Sequence, residues 1–396
     1  MLAETLRESG EAKRLELRAC IELLSFGWQL GLSREEAERL FASGRELARR
    51  SERPDLEAIL FASFGRVLSA TLNADAYVEH AAEALKIARG TENPRLEVGM
   101  LAILSQALRH AGRLAEGLKL SEEALRWARQ HPDQEAIGLG FSAYLWLLTM
   151  RAQTFVLMGR LDEAQRDVDE VIQGATSSQE GELLVAPRYA YTGLCWVRGE
   201  ALDALDRARE AQAIAEKLGS PISLVMAKAA LAVAYLLNKE APAATALLEE
   251  ALALSRDRRV GMEIETPMLV YLADARLLLG DVQGAHGAAD LAADVARRRH
   301  ARAFECQAEL CRARMRLHSG GNDADAAAAL AKALRLARET GAKVFEPFIH
   351  CELGELARLR GDMNASAHEL QVAQHLFEAM SAPQRAAMVR ASARPP

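Results

Sequence analysis

Apolar residues recur along this chain at the spacing of an amphipathic helix, in stretches of about fifteen residues that end at turns. Alanine, leucine, arginine and glutamate dominate these stretches, and they have the best intrinsic helix propensities. No run combines valine, isoleucine, threonine and aromatic residues at a period of two, so no strand is predicted. We therefore expect an all-α protein.

The helical stretches form a repeat, in which a helix, a turn residue suited to left-handed backbone and a second helix follow one another. One upstream unit has its turn near Leu72 and Asn73, and a degenerate unit containing Gly27, Gly31 and Ala48 precedes it. The other turn residues recur at roughly 40 positions, in the range of solenoid repeats; they are Gly112, Gly159, Gly199, Lys239, Gly280, Gly321 and Gly361.

Small residues at fixed points of the second helices predict close approach of paired helices; they are Ala124, Ala164, Ala211, Ala251, Ala292, Ala333 and Ala373. A single pair cannot bury its apolar face, so the units must stack. The predicted fold is a right-handed α-α superhelix of about nine helix pairs. We expect N-terminal helices with the degenerate unit over 1–50, the repeat array over 51–380, and a capping helix and tail over 381–396, with Arg390 and Arg394 on the cap.

This pattern resembles the tetratricopeptide repeat at Gly159 with Ala164, at Gly280 with Ala285 and Ala292, and at Leu353-Gly354 before Gly361. It departs in lacking most of the early aromatic residues and in units near 40 rather than 34 residues. The chain also looks like the helical C-terminal regions of class III adenylate or guanylate cyclases with an AAA-type ATPase segment, and of maltose-regulon-type transcriptional activators. Residues 26–33 and 376–383 carry that likeness, which implies a module of a bacterial signalling protein.

Composition excludes several classes of protein. The formal net charge of −6 over 396 residues lacks the basic character of a nucleic-acid-binding domain. Five scattered cysteines without a CxxC motif indicate reduced thiols. The start of the chain has no signal-peptide core, and no window of about 18 apolar residues could span a membrane. We expect a soluble, cytoplasmic protein.

No catalytic motif is present: there is no phosphate-binding GxxxxGK[ST], GxGxxG, HExxH or GxSxG. The glycine-rich segment at 319–323 is interpreted as a repeat turn. His368 and His375 are too few for a metal site, and Cys306 and Cys311 point apart on an ideal helix. We expect no catalytic residue, metal or cofactor, and hold an enzyme built on the helical array as a third hypothesis.

A ligand is expected on the inner face of the superhelix, which the first helices line. Trp146, Tyr189 and Trp196 form a candidate anchoring patch there, with packing between helices as the alternative. The groove positions that the tetratricopeptide resemblance implies are Gln106, Arg109, His110, Trp146, Gln153, Tyr189, Trp196, Asp274, His318, Glu355 and Arg358.

The sequence thus predicts a non-catalytic interaction or regulatory module that binds a protein or peptide in its concave groove. The alternative is a sensor of a small molecule or peptide that regulates an attached cyclase, ATPase or transcription factor. No direct contact with nucleic acid or membrane is expected. An uncapped terminal repeat would favour self-association into a homo-oligomer.

Overall fold

The computed structural model describes residues 10–131, 135–138, 142–178, 182–318 and 323–392. Over these residues the chain forms nineteen α-helices and two short 3₁₀ turns, and no strand. The all-α prediction is confirmed, and nine helix pairs followed by a single last helix match the expected number of units.

Odd-numbered helices are the first and even-numbered helices the second members of the pairs. The helices are α1 (Gly10–Leu30), α2 (Arg34–Arg50), α3 (Pro54–Thr71), α4 (Ala74–Arg89), α5 (Pro94–His110), α6 (Leu114–Gln130), α7 (Ala143–Leu157), α8 (Leu161–Ser178), α9 (Glu182–Arg198), α10 (Ala201–Leu218), α11 (Pro221–Leu237), α12 (Ala241–Arg258), α13 (Glu265–Leu278), α14 (Val282–Arg298), α15 (Arg302–His318), α16 (Asp323–Thr340), α17 (Glu346–Leu359), α18 (Met363–Ala379) and α19 (Pro383–Ser392). The 3₁₀ turns, Met262–Ile264 and Lys343–Phe345, precede α13 and α17.

The turns within pairs lie where the repeat predicts them. Left-handed backbone is found at Gly112, Gly159, Gly199, Lys239, Gly280 and Gly361, and Gly321 lies outside the described residues. In the upstream unit α3 ends at Thr71, and the side chain of Asn73 caps α4 by accepting from the backbone N–H of Ala76. The alanines predicted to let paired helices approach are all 0% exposed; they are Ala124, Ala164, Ala211, Ala251, Ala292, Ala333 and Ala373.

The superhelix closes on itself, because turns of the early units contact loops between the late units. Arg259 Nε donates to the carbonyl oxygen of Gly31 at 3.0 Å across 228 positions of the sequence. The backbone N–H of Ala74 donates to the carbonyl oxygen of Arg299 at 2.9 Å. The Arg299 guanidinium in turn donates to the carbonyl oxygen of Ala70 at 2.8 Å.

The same line of contacts continues towards the C-terminus. Ser381 Oγ donates to the carboxylate of Asp162 at 2.7 Å, and Arg385 on α19 donates to the carbonyl oxygen of Trp196 at 2.6 Å. We call the whole line of contacts the seam. Since it brings units far apart in sequence together, the inner face of the solenoid is an enclosed space instead of an open groove.

None of the described helices is both long and apolar enough to cross a bilayer.

Candidate functional site

Two adjoining cavities lie inside the superhelix, and the first helices of the pairs supply most of their walls. The first cavity is lined mainly by α3, α5, α7, α9 and α11, and the second by α7, α9, α13 and α15. Arg109, Gln153, Tyr189 and Ile264 line both, so the two cavities lie side by side along the inside of the superhelix. We call them together the central channel.

Most of the residues predicted for the groove line this channel; they are Gln106, Arg109, His110, Trp146, Gln153, Tyr189 and Trp196. The remaining four do not line either cavity. Asp274 accepts from Arg314 at 2.9 Å, His318 is exposed, and Glu355 forms a surface ion pair with Arg358. The structure therefore gathers the predicted residues of the three units from α5 to α10 and separates those of the later units.

Arg66, on α3, projects into the first cavity from a run of buried apolar residues. Its guanidinium carbon lies 4.7 Å from the ring centroid of Trp28 and 5.8 Å from that of Trp146. Arg66 is only 7% exposed, and its NH2 atom has no hydrogen-bond partner in the described part of the chain. Burial lowers the pKa of this guanidinium from its ordinary value. Two indole faces therefore hold a buried charge that lacks a paired anion.

Arg109, on α5, lies in the wall shared by the two cavities. It is 8% exposed, and its NH2 atom donates to Nε2 of His110 at 2.9 Å. Its Nε atom has no partner among the described residues. Burial lowers the pKa of Arg109 to about 10, and the negative charge of Glu263 is the largest effect opposing that decrease.

His110 fixes the orientation of Arg109. Because a guanidinium can only donate, Nε2 of His110 accepts, and the proton of the neutral ring lies on Nδ1. Nδ1 lies 2.9 Å from Oγ of Ser69, to which it donates. Burial, with the charges of Arg109 and Arg66, holds the pKa of His110 well below its ordinary value. His110 is therefore a neutral link between α3 and α5.

Glu263 is the only acidic residue among those that line the first cavity. It belongs to the 3₁₀ turn Met262–Ile264, which follows the seam contact of Arg259. No ion pair within 4.0 Å joins its carboxylate to a cation of the described residues. Burial raises the pKa of Glu263, and the nearby arginines oppose this. With His110 neutral, the two guanidinium groups give the first cavity an excess of positive charge.

The second cavity has an aromatic wall. The indole of Trp196 stacks on Phe348, with ring centroids 4.6 Å apart, and meets Tyr271 edge-on at 5.7 Å. The guanidinium carbon of Arg385 lies 5.6 Å from the centroid of the Trp196 ring and from that of Phe348. Trp196 therefore both lines the channel and packs against the C-terminal units. A position on the channel wall and packing between helices, the two interpretations given for Trp196 from the sequence, therefore do not exclude each other.

Sequence reasoning missed several residues of the channel, above all Arg66, Trp28 and Glu263. The usable signal for Arg66 was a lone arginine inside an otherwise apolar helical stretch, from Ala58 to Leu68. Every residue of that stretch is buried. No comparable signal marks Trp28 or Glu263, because the superhelix brings α1 and the 3₁₀ turn to the cavity from distant units. Among the described residues no cluster of three or more histidine, cysteine, aspartate or glutamate side chains is arranged to hold a metal ion.

No protein-family model and no curated protein sequence matches this chain. Among solved structures, it is similar to a Rap protein complexed with competence and sporulation factor, with a TM-score of 0.66 and 11% identity over 94% of this chain and 99% of that one. It is also similar to NprR in complex with its cognate peptide NprX, with a TM-score of 0.55 and 15% identity over 95% and 97% of the two chains.

A further similar structure is the apo form of the quorum sensor NprR from B. thuringiensis, with a TM-score of 0.53 and 15% identity over 93% and 99% of the two chains. The structural neighbours are tetratricopeptide-like repeat proteins, and the predicted solenoid fold is confirmed. At such low identities the likeness concerns the fold.

Proposed function

We propose that this protein is a non-catalytic regulatory module that binds a peptide in the central channel. The observation that carries the proposal is the channel itself, two adjoining cavities lined by buried and half-buried aromatic and polar side chains, most of them from consecutive first helices. Aromatic anchors beside a small number of placed polar groups are typical of peptide and ligand sites.

The enclosed shape favours a peptide over a folded partner. Seam contacts such as that of Arg259 with Gly31 join the early and late units around the channel, so a folded domain has no open concave surface to dock on. An extended chain is thin enough to lie along first helices. The amide of Gln153, which both cavities share and which has no hydrogen-bond partner among the described residues, can both donate to and accept from a peptide backbone.

The neighbouring structures support the same ligand class. NprR is described in complex with a cognate peptide, and a Rap protein with competence and sporulation factor. That this chain also binds a peptide is part of the proposal, since the sequence identity between these proteins and this chain is at most 15%. The likeness of residues 26–33 and 376–383 to cyclase and activator regions adds the expectation that the module reports to an attached effector.

The proposal is tested with pooled random short peptides added to the purified protein in a thermal-shift assay. Bound peptide stabilises the folded state by RT ln(1 + [L]/Kd), so the melting temperature should rise with peptide concentration. Gln153→Ala should weaken this rise, because it removes an unpaired amide from the channel wall. Gln130→Ala, at an exposed position at the end of α6, is the matched control and should leave the rise unchanged.

A melting temperature that stays constant across the peptide pools would contradict the proposal. So would an equal loss of peptide-dependent stabilisation in the Gln153→Ala and Gln130→Ala variants, because the binding site would then lie outside the channel.

The second candidate is a sensor of a small molecule. The first cavity favours it, because its buried charges lie among aromatic rings. A panel of metabolites in the same assay separates the two candidates: stabilisation by a metabolite and by no peptide would favour the sensor.

A further inference from the structure

The two arginines of the first cavity are an unusual pair of buried groups. Arg66 and Arg109 are 7% and 8% exposed, and each has a guanidinium nitrogen that is buried without a hydrogen-bond partner in the described part of the chain, NH2 of Arg66 and Nε of Arg109. Neither forms an ion pair within 4.0 Å of a carboxylate of the described residues. A buried charge without a paired anion is strongly unfavourable, and buried charges are normally paired or bound to an ion.

Other buried arginines of this protein have the partners that these two lack. Arg314 donates to Asp274 and Glu352 at 2.9 and 2.7 Å. Arg151 forms a bidentate ion pair with Asp167, with both hydrogen bonds at 2.7 Å. At Arg314 and Arg151 the fold therefore supplies carboxylates. In the first cavity it supplies indole faces and a neutral histidine instead.

We propose that Arg66 and Arg109 hold a carboxylate of the ligand in the first cavity. This inference rests on the proposed function and names the chemical group that the channel recognises. A carboxylate accepts strong hydrogen bonds from guanidinium groups, and its negative charge would offset the excess positive charge of the first cavity.

The surrounding residues fit this role. The guanidinium of Arg66 lies over the indole rings of Trp28 and Trp146. The neutral ring of His110 holds the NH2 atom of Arg109. Both arginines are therefore positioned before a ligand binds, which reduces the entropy lost on binding.

The carboxylate has two chemical sources, the C-terminus of a peptide and a free small organic acid. The probes are therefore three: a pool of random tetrapeptides that lack aspartate and glutamate and have free C-termini, the same pool with amidated C-termini, and a panel of acetate, succinate and citrate. The readouts are the rise in melting temperature and the Kd from calorimetric titration.

Arg66→Met and Arg109→Met are the test variants, and Arg335→Met, at an arginine on α16 whose side chain is 64% exposed, is the matched control. Without a ligand Arg66→Met should melt no lower than the parent protein, because it removes an unpaired buried charge and keeps an apolar side chain of similar length. Arg109→Met also removes the donor to Nε2 of His110, so it is compared with the parent protein by its affinity for the probes. With a carboxylate probe each test variant should bind about 10- to 100-fold more weakly, the range for losing a hydrogen bond to a charged group.

Each outcome decides between the alternatives. Stabilisation by the free-carboxylate pool alone, lost in the two test variants, supports the inference and identifies a peptide C-terminus. Stabilisation by a small acid alone, lost in the same variants, supports the carboxylate site and overturns the peptide proposal. Equal binding of free and amidated pools overturns the inference and leaves the peptide proposal standing.

Two further results would also overturn the inference. One is unchanged affinity of Arg66→Met and Arg109→Met for a carboxylate probe. The other is a lower melting temperature of Arg66→Met without any ligand, which would show that this arginine is structural. The absence of binding by all three probes would overturn both the inference and the peptide proposal.

Discussion

Gly31→Ala is the sharpest test of whether the seam holds the superhelix closed. Gly31 has φ +71°, and a Cβ built there would lie 1.7 Å from the carbonyl oxygen of Arg258 in a loop of the late units. No side-chain rotation relieves a contact with backbone, so the late loop must move away. The hydrogen bond from Arg259 to the carbonyl oxygen of Gly31 should be lost with that movement.

The matched control is Gly280→Ala. Gly280 has a similar φ of +79°, but a Cβ there has no neighbouring atom within 4 Å. Left-handed backbone with a side chain costs about 1–2 kcal/mol in both variants, and any entropy removed from the unfolded chain is also common to both. The difference between the free energies of unfolding of the two variants therefore measures the contribution of the seam contact. We expect Gly31→Ala to lower the free energy of unfolding by about 1–2 kcal/mol more than Gly280→Ala does. This is the contribution of a hydrogen bond from a charged group, reduced because Arg259 is exposed to solvent.

Urea unfolding followed by circular dichroism gives the two free energies of unfolding, and small-angle X-ray scattering gives the radius of gyration. Gly31→Ala should be the less stable and the more expanded of the two, while Gly280→Ala should keep the dimensions of the parent protein. Equal stability losses together with equal radii of gyration would refute the reasoning, because the contact at Gly31 would then contribute nothing to closure.

Three further predictions concern titration, ion pairs and thiols. The pKa of His110 is held low in the folded state, so the unfolded chain binds more protons there below about pH 6.5, and the free energy of unfolding should fall with decreasing pH by up to about 1.4 kcal/mol per unit. Urea titrations from pH 7.5 to 5 should show a smaller slope for His110→Gln than for the exposed control His368→Gln. Arg314→Met should lower the free energy of unfolding by about 2–3 kcal/mol, because it leaves two partly buried carboxylates unpaired. The exposed control Arg358→Met should lower it much less, and equal losses would contradict the distinction. Burial raises the pKa of Cys351 to about 12, and the other four cysteines are buried, so a thiol reagent at pH 7.5 should label the native protein much more slowly than the urea-unfolded chain; rapid labelling of the native protein would contradict this.

Local chemistry explains why so much of the fold could be predicted from the sequence. Gly159 marks a turn because glycine adopts left-handed backbone without a steric penalty, and Ala164 marks a helix contact because only a small side chain fits there. Both depend on neighbours within one repeat. The same holds for the groove residues from Gln106 to Trp196, because the first helix of each unit faces inward in every solenoid of this kind.

The seam could not be predicted, because it depends on the rotation accumulated over several units. Arg259 and Ser381 have φ values of 53° and 58°, which is uncommon for residues other than glycine. Nothing in their local sequence distinguishes them from other polar loop residues. Asp274 was predicted to line the groove because it lies on a first helix. Instead it pairs with Arg314 of the next unit, a contact that the sequence of its own unit does not reveal.

The seam and the first cavity are joined through the same short segments. Ala70, which accepts the bond from Arg299, follows Ser69, the partner of His110, and the turn that carries Glu263 begins shortly after the seam residue Arg259. Coupling between two sites is reciprocal. If closure of the seam increases the affinity for a ligand, binding of that ligand must therefore stabilise the closed seam by the same free energy. The affinity measured for any ligand is in turn reduced by the fraction of molecules whose seam is open. If the ligand binds only the closed form, its binding increases the fraction of molecules whose superhelix is closed.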